Sequence, residues 1–219
     1  MKKILYPILV LLLIACGGNN KQSKQEEENT GKNENKEISD FKNMAFEDLF
    51  VKIEADKFDE NLFSLFKNNA VLTSGTPDDF NSMTIGFGGY GQYFDGPCTW
   101  MFLRANRYTL EYIRNSKTYT IAFFDPKYEK EVLHFGMSSG RDTDKMGTHN
   151  LNSVYTPSQN IAYKEAKVII ECDLTEITTV DPDDFYTKES HEFVVEGFND
   201  AGDYHKLVFG KINNIWVNK

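Results

Sequence analysis

"TIGFGGYGQYFDGPCTWMFL", residues 84–103, sets Gly86, Gly88 and Gly91 in G-x-G-x-x-G spacing, with Glu111 at a tempting distance beyond. A dinucleotide fingerprint needs a strand entering the glycines, a helix leaving them, and an acidic residue about 20 positions on. After Gly91 the chain instead runs into Asp95-Gly96-Pro97, a turn signal, and then into the β-type run "CTWMFL". The helix N-terminus is the part that receives a pyrophosphate, so without it the dinucleotide reading fails. The segment reads as strand, turn, strand.

Outward from it the same texture continues. "AVLTSG" (70–75), "SMTIGFGG" (82–89), "PCTWMFLR" (97–104), "KTYTIAFF" (117–124), "EAKVIIECDLTEITTV" (165–180) and "DYHKLVFGKINNIWV" (203–217) are rich in Val, Ile, Thr, Phe and Tyr and are separated by turn residues. Helical patterns are short: "DENLFSLFKNN" (59–69), stopped by its two asparagines, "TLEYIRNSK" (109–117) and "PKYEKEVLHFG" (126–136). Many strands with few helices predict a mainly β fold, a barrel with helical insertions.

The N-terminus is of another kind. Lys2 and Lys3, the apolar run Ile4 to Ile14, and Ala15-Cys16 read as an export leader, since the run is shorter than the roughly 20 residues that span a bilayer. The cysteine at that place resembles a bacterial lipoprotein signal, with residues 1–16 ending at a lipidated Cys16. An ordinary leader with a chance cysteine is the alternative. Residues 17–42 are almost free of apolar side chains and read as a disordered polar tether with a reach of roughly 25–30 Å. Residues 43–219 then form one domain, held at the cell envelope through the lipid.

The net charge is −9, and losing Lys2 and Lys3 with the leader makes it more acidic. That balance argues against a nucleic-acid partner. Cys98 and Cys172 sit in apolar runs and read as buried free thiols, with a disulfide between them as the alternative. No cysteine pair, and none of His134, His149 and His191, has metal-ligand spacing, so no metal site is expected.

Arginine usage is the sharper clue. Of 24 Lys and Arg residues only Arg104, Arg107, Arg114 and Arg141 are arginine, and all lie between 104 and 141. The planar guanidinium suits bidentate contact with an oxyanion. Strand 97–104 ends in Arg104, Arg107-Tyr108 leads into a helix with Thr109 at its N-cap, and "SSGRDTDK" (138–145) adds a tight turn with Arg141 and Lys145. Together these predict an anion cradle of backbone donors and fixed positive charge. Pairing of single arginines with Glu111, Asp125 or Asp142 is the competing reading. In "FNSMTIGFGG" (80–89), glycine backbone lets a flat ligand approach closely, with Asn81 and Thr84 polar beside Met83 and Phe87. Ordinary core packing competes for the last two.

The succession "NNAVLTSGTPDDFNSMTIGFGG", "FLRANRYTLEYI", "FGMSSGRDTDK", "IAYKEAKVIIEC" and "DYHKLVFGKI" resembles the flavin reductase-like, FMN-binding split-barrel family, in its flavoredoxin-like branch. The resemblance runs from about Phe46 to Lys219. It implies a split β-barrel homodimer with FMN near the subunit interface. It places Thr73, Ser74, Asn81, Met83 and Thr84 along the flavin, and Arg107, Thr109, Arg141 and Lys145 around its phosphate. Relatives often carry tryptophan where this chain has Phe87. His205 fits a family pattern without a role to go with it. The implied activity is that of an FMN-dependent oxidoreductase with an unidentified electron donor or acceptor. An electron carrier with no small substrate of its own, and a non-catalytic binding module, are the alternatives.

Overall fold

A computed structural model describes residues 45–67, 70–198 and 204–219. The leader with Cys16, the tether 17–42 and the asparagine pair 68–69 lie outside the described residues.

The elements in chain order are α1 (Phe46–Leu49), β1 (Phe50–Ile53), α2 (Leu62–Phe66), β2 (Ala70–Thr76), β3 (Asp79–Ile85), β4 (Gly88–Tyr93), β5 (Gly96–Arg104), α3 (Tyr108–Ser116), β6 (Thr118–Phe123), α4 (Glu129–Met137), β7 (Ser153–Tyr155), β8 (Ile161–Tyr163), β9 (Val168–Thr179), α5 (Lys188–Phe198) and β10 (His205–Asn218). Eight strands form one antiparallel sheet in the order β3-β2-β6-β9-β10-β5-β4, with β1 added along the far end of β10; β7 and β8 form a separate hairpin.

That order dictates curvature. Six steps of about 4.8 Å would hold β3 and β4 roughly 29 Å apart in a flat sheet. Only Gly86 and Phe87 join them, and such a link spans at most about 11 Å. The sheet therefore curls until its edges meet. No ladder joins β3 to β4 among the described residues, so the barrel is split along that seam. The fold is the expected mainly β split barrel with short helices.

Alternation along the strands fills the interior. Tyr119, Ile121 and Phe123 of β6, Val168, Ile170 and Cys172 of β9, and Met101 and Leu103 of β5 point inward, and Leu110 and Ile113 of α3 join the same cluster. Ala122 on the outer face is buried as well, because β8 lies against β6, and Ile169 beside it in β9 is fully buried too. Double-sided burial is why "KVIIEC" reads as a continuous apolar run.

One charge is buried within this outer layer. The Glu171 carboxylate is fully enclosed and accepts from the Thr156 hydroxyl, Asn160 Nδ2 at 2.9 Å, Asn214 Nδ2 at 2.9 Å and Trp216 Nε1 at 2.6 Å. A bulge at Asn213 brings Asn214 opposite Glu171. Four donors replace the water that burial removed.

Three sequence expectations change. The single strand expected over 82–89 is two, β3 and β4, with the seam linker between them. Gly88, Gly89 and Gly91 of the opening stretch lie against Trp100: Gly89 faces it across the ladder, and a Cβ there would stand 2.4 Å from the indole. α5 occupies a stretch to which the sequence assigned no element. The thiols are free; Thr99 lies 3.3 Å from Cys172 Sγ, so neighbouring Cys98 projects from the opposite face of its strand.

Candidate functional site

The seam leaves β3 as an edge strand, with no partner strand along one flank of its backbone among the described residues. Against it lie the start of α3 and the turn that follows α4, and together these enclose a cavity of about 420 Å³. That volume lies in the range of small-molecule sites.

Short polar side chains tie the three walls together. Asn81 Nδ2 donates to Thr109 Oγ1 at 2.7 Å, joining β3 to the first turn of α3. Thr109 is therefore not the N-cap. Arg107 holds that position in extended backbone conformation, and Thr109 is the second helical residue, its hydroxyl already taken by Asn81. Thr84 Oγ1 donates to the Val132 carbonyl and holds α4 against β3. Gly140 presses the turn onto Asn81 so closely that a Cβ would stand 2.3 Å from Asn81 Oδ1.

Lys145 closes the back of the cavity. The residue is only 4% exposed, and its ammonium donates to the carbonyls of Phe135 at 3.0 Å and Ser138 at 3.1 Å, at the C-terminal end of α4. A cation there satisfies carbonyls that the helix leaves open. Burial, and then the Arg107 charge, push its pKa down to about 8. No ion pair joins Arg107 or Lys145 to a carboxylate among the described residues. Arg141 is different. Its Nη1 donates to the Asn106 carbonyl at 2.8 Å, its Nη2 pairs with Glu111, and its guanidinium lies 4.7 Å from the Tyr108 ring centre.

An open sheet edge beside a cation-lined pocket between two helix ends narrows the choice of family. The family model for the flavin reductase like domain matches residues 64–219. The chain belongs to the flavin reductase-like family. Solved structures agree on the fold. An FMN-binding protein from Thermus thermophilus, solved with p-hydroxybenzaldehyde, aligns at 16% identity over 75% of each chain with a TM-score of 0.53. A flavoredoxin from Methanosarcina acetivorans aligns at 18% identity over 76% of this chain and 74% of its own, TM-score 0.51. The flavoredoxin of Desulfovibrio vulgaris gives 18% over 69% of each, TM-score 0.52. Comparison with curated proteins finds no match.

Of the residues singled out in the sequence of this family member, Asn81, Met83, Thr84, Arg107, Thr109, Arg141 and Lys145 all line the cavity. Thr73 and Ser74 do not. Thr73 Oγ1 shares a hydrogen bond with Ser82 Oγ at 2.7 Å, which bonds in turn to the buried Tyr163 hydroxyl, and Ser74 Oγ donates to the Thr118 carbonyl at 2.7 Å. Both hydroxyls serve the strand layer behind the site. Met83 and Phe87 are also separated: Phe87, 59% exposed, lines a different, apolar cavity of about 220 Å³ with Phe102, Phe185 and His205. Arg104 and Arg114 are not among the lining residues. Sequence reasoning did not single out Asn106 and Ser138 and named Asp142 only as a pairing partner for an arginine; all three also line the cavity. Ser138 and Asp142 were available from the "SSGRDTDK" turn; nothing in the sequence marks Asn106.

Proposed function

We propose that this protein is an FMN-binding flavoprotein oxidoreductase, working as a homodimer and held at the bacterial envelope by a lipid on Cys16. The observation that carries the flavin reading is the pair Arg107 and Lys145, two cations without a carboxylate partner among the described residues, facing one cavity beside a strand edge. Such a pair repels itself until an anion arrives, and the depressed Lys145 pKa records part of that repulsion.

The donor set fits FMN. Arg107, the remaining N–H of Lys145 and the Ser138 and Ser139 hydroxyls suit a phosphate. Asn81 and the free flank of β3 suit the polar edge of a flat heterocycle, with Met83 as apolar floor. The Gly140 turn leaves the backbone, not a side chain, as the near wall. When bound, FMN supplies hydride or electron transfer, and the protein supplies position and charge. Lys145 and Arg107 would hold the phosphate, and Thr84 and Asn81 keep β3, α3 and α4 in register around the cavity.

The test is a visible absorption spectrum of the purified protein before and after FMN is added. A perturbed, retained flavin spectrum is expected. A colourless protein that ignores FMN sinks the flavin reading. Bleaching of bound flavin by NADH separates a reductase from an electron carrier, which bleaches only with a redox partner.

A further inference from the structure

The arginine most exposed to misreading is Arg141. Sequence places it with the phosphate ligands, and it does line the cavity. Its guanidinium, however, already has three neighbours. Nη1 is bound to the Asn106 carbonyl just ahead of α3, Nη2 to the Glu111 carboxylate inside α3, and the flat face lies over Tyr108 at the helix start. All three belong to one segment, 106–111, whereas Arg141 belongs to the turn 138–145. The fork that would embrace a phosphate is turned on the helix instead, and Glu111 offsets its charge. Arg107 and Lys145 have no carboxylate partner among the described residues, and Lys145, with two N–H groups on the Phe135 and Ser138 carbonyls, keeps a third for the cavity.

Resting on the flavin reading, we propose that Arg141 is a positioning residue: it straps the 138–145 turn to α3, and discrimination for a phosphorylated ligand belongs to Arg107 and Lys145. The turn it fixes carries Ser138, Ser139 and Gly140, which form one wall of the cavity. The strap acts on any ligand that uses that wall, with or without a phosphate. Lysine is a poor replacement, because a single ammonium cannot reach the carbonyl and the carboxylate in a plane while stacking on the ring.

Two flavins differing only in the phosphate separate the roles. Affinities for FMN and riboflavin are measured on the full chain and on Arg141→Ala, Glu111→Ala and Arg107→Ala. Arg141→Ala and Glu111→Ala are expected to weaken both flavins by the same factor, about three- to tenfold, leaving the FMN-to-riboflavin ratio at its wild-type value. Arg107→Ala is expected to weaken FMN alone. A ratio that collapses in Arg141→Ala overturns the proposal, for Arg141 then holds the phosphate.

Amide hydrogen exchange in the flavin-free protein supplies the second readout. Exchange over 138–145 is expected to quicken in both Arg141→Ala and Glu111→Ala and to stay unchanged in Arg107→Ala. Unchanged exchange in the first two overturns the strap. Should wild-type protein bind neither flavin, the flavin reading falls, and the exchange result still decides the strap by itself.

Discussion

At Lys145, burial and the neighbouring Arg107 hold the ammonium pKa near 8, below the ordinary lysine value. Below about pH 8 both the folded and the unfolded chain carry this proton, and the folded protein bears the full cost of burying it. Above that pH the unfolded chain binds more protons, so this group's contribution to stability rises as pH climbs towards the ordinary lysine pKa. FMN affinity runs the other way, because the phosphate needs the charged form. Titrating FMN between pH 7 and 9.5, above the second phosphate ionisation near 6, should show weakening as pH passes about 8. Riboflavin should show none, and Lys145→Met should flatten the FMN curve. A flat wild-type curve would remove Lys145 from the phosphate. Gly140 offers a second residue-scale test: Gly140→Ala should cost about 1–3 kcal/mol in urea unfolding, and Asn81→Ala in the same chain should recover part of it. That Lys145, Arg107 and Asn81 line one cavity was legible because charge and turn chemistry are written locally. Thr73 and Ser74 were not, since a hydroxyl in a strand looks the same whether it meets a ligand or, as here, Ser82 and the Thr118 carbonyl.

Among the elements, β6 and the first half of β9 were plain in the sequence because a strand buried on both faces has few ways to hide its apolar run, and β10 was plain from its length and its Val, Ile and Phe content. The division between β3 and β4 was not, because its glycines answer to Trp100, a residue of the neighbouring strand. Long-range packing of that sort leaves no local signature. It does leave a mutational one: Gly89→Ala should lower the urea midpoint strongly, and Trp100→Ala in the same chain should blunt the effect, as a double-mutant cycle would show. β9 and β10 carry the other element-scale prediction. Glu171→Ala strands four donors from β10 and the 156–160 turn, Thr156 and Trp216 buried and Asn160 and Asn214 half-buried, and should cost about 3 kcal/mol or more. Glu171→Gln keeps an acceptor oxygen and should cost less. Equal midpoints for the two variants would mean that the buried network contributes little.

On the scale of the whole molecule, attachment and assembly can be varied separately. Cys16→Ser should leave the protein in the aqueous fraction after membranes are sedimented, while the flavin spectrum stays that of wild type. Retention in the membrane pellet would sink the lipid anchor without touching the barrel.

β10 pairs with β9, β5 and β1, and it follows the other described strands in sequence. A ribosome delivers its residues after the rest of the sheet has already emerged. Until then β5 and β9 have no partner between them, β1 has none at all, and the core lacks Val208 and Ile215. Nascent chains stalled before residue 205 should accordingly remain open to protease throughout. Closure of the barrel thus waits on a single strand, and the sheet is completed in the one step that inserts β10 between β5 and β9.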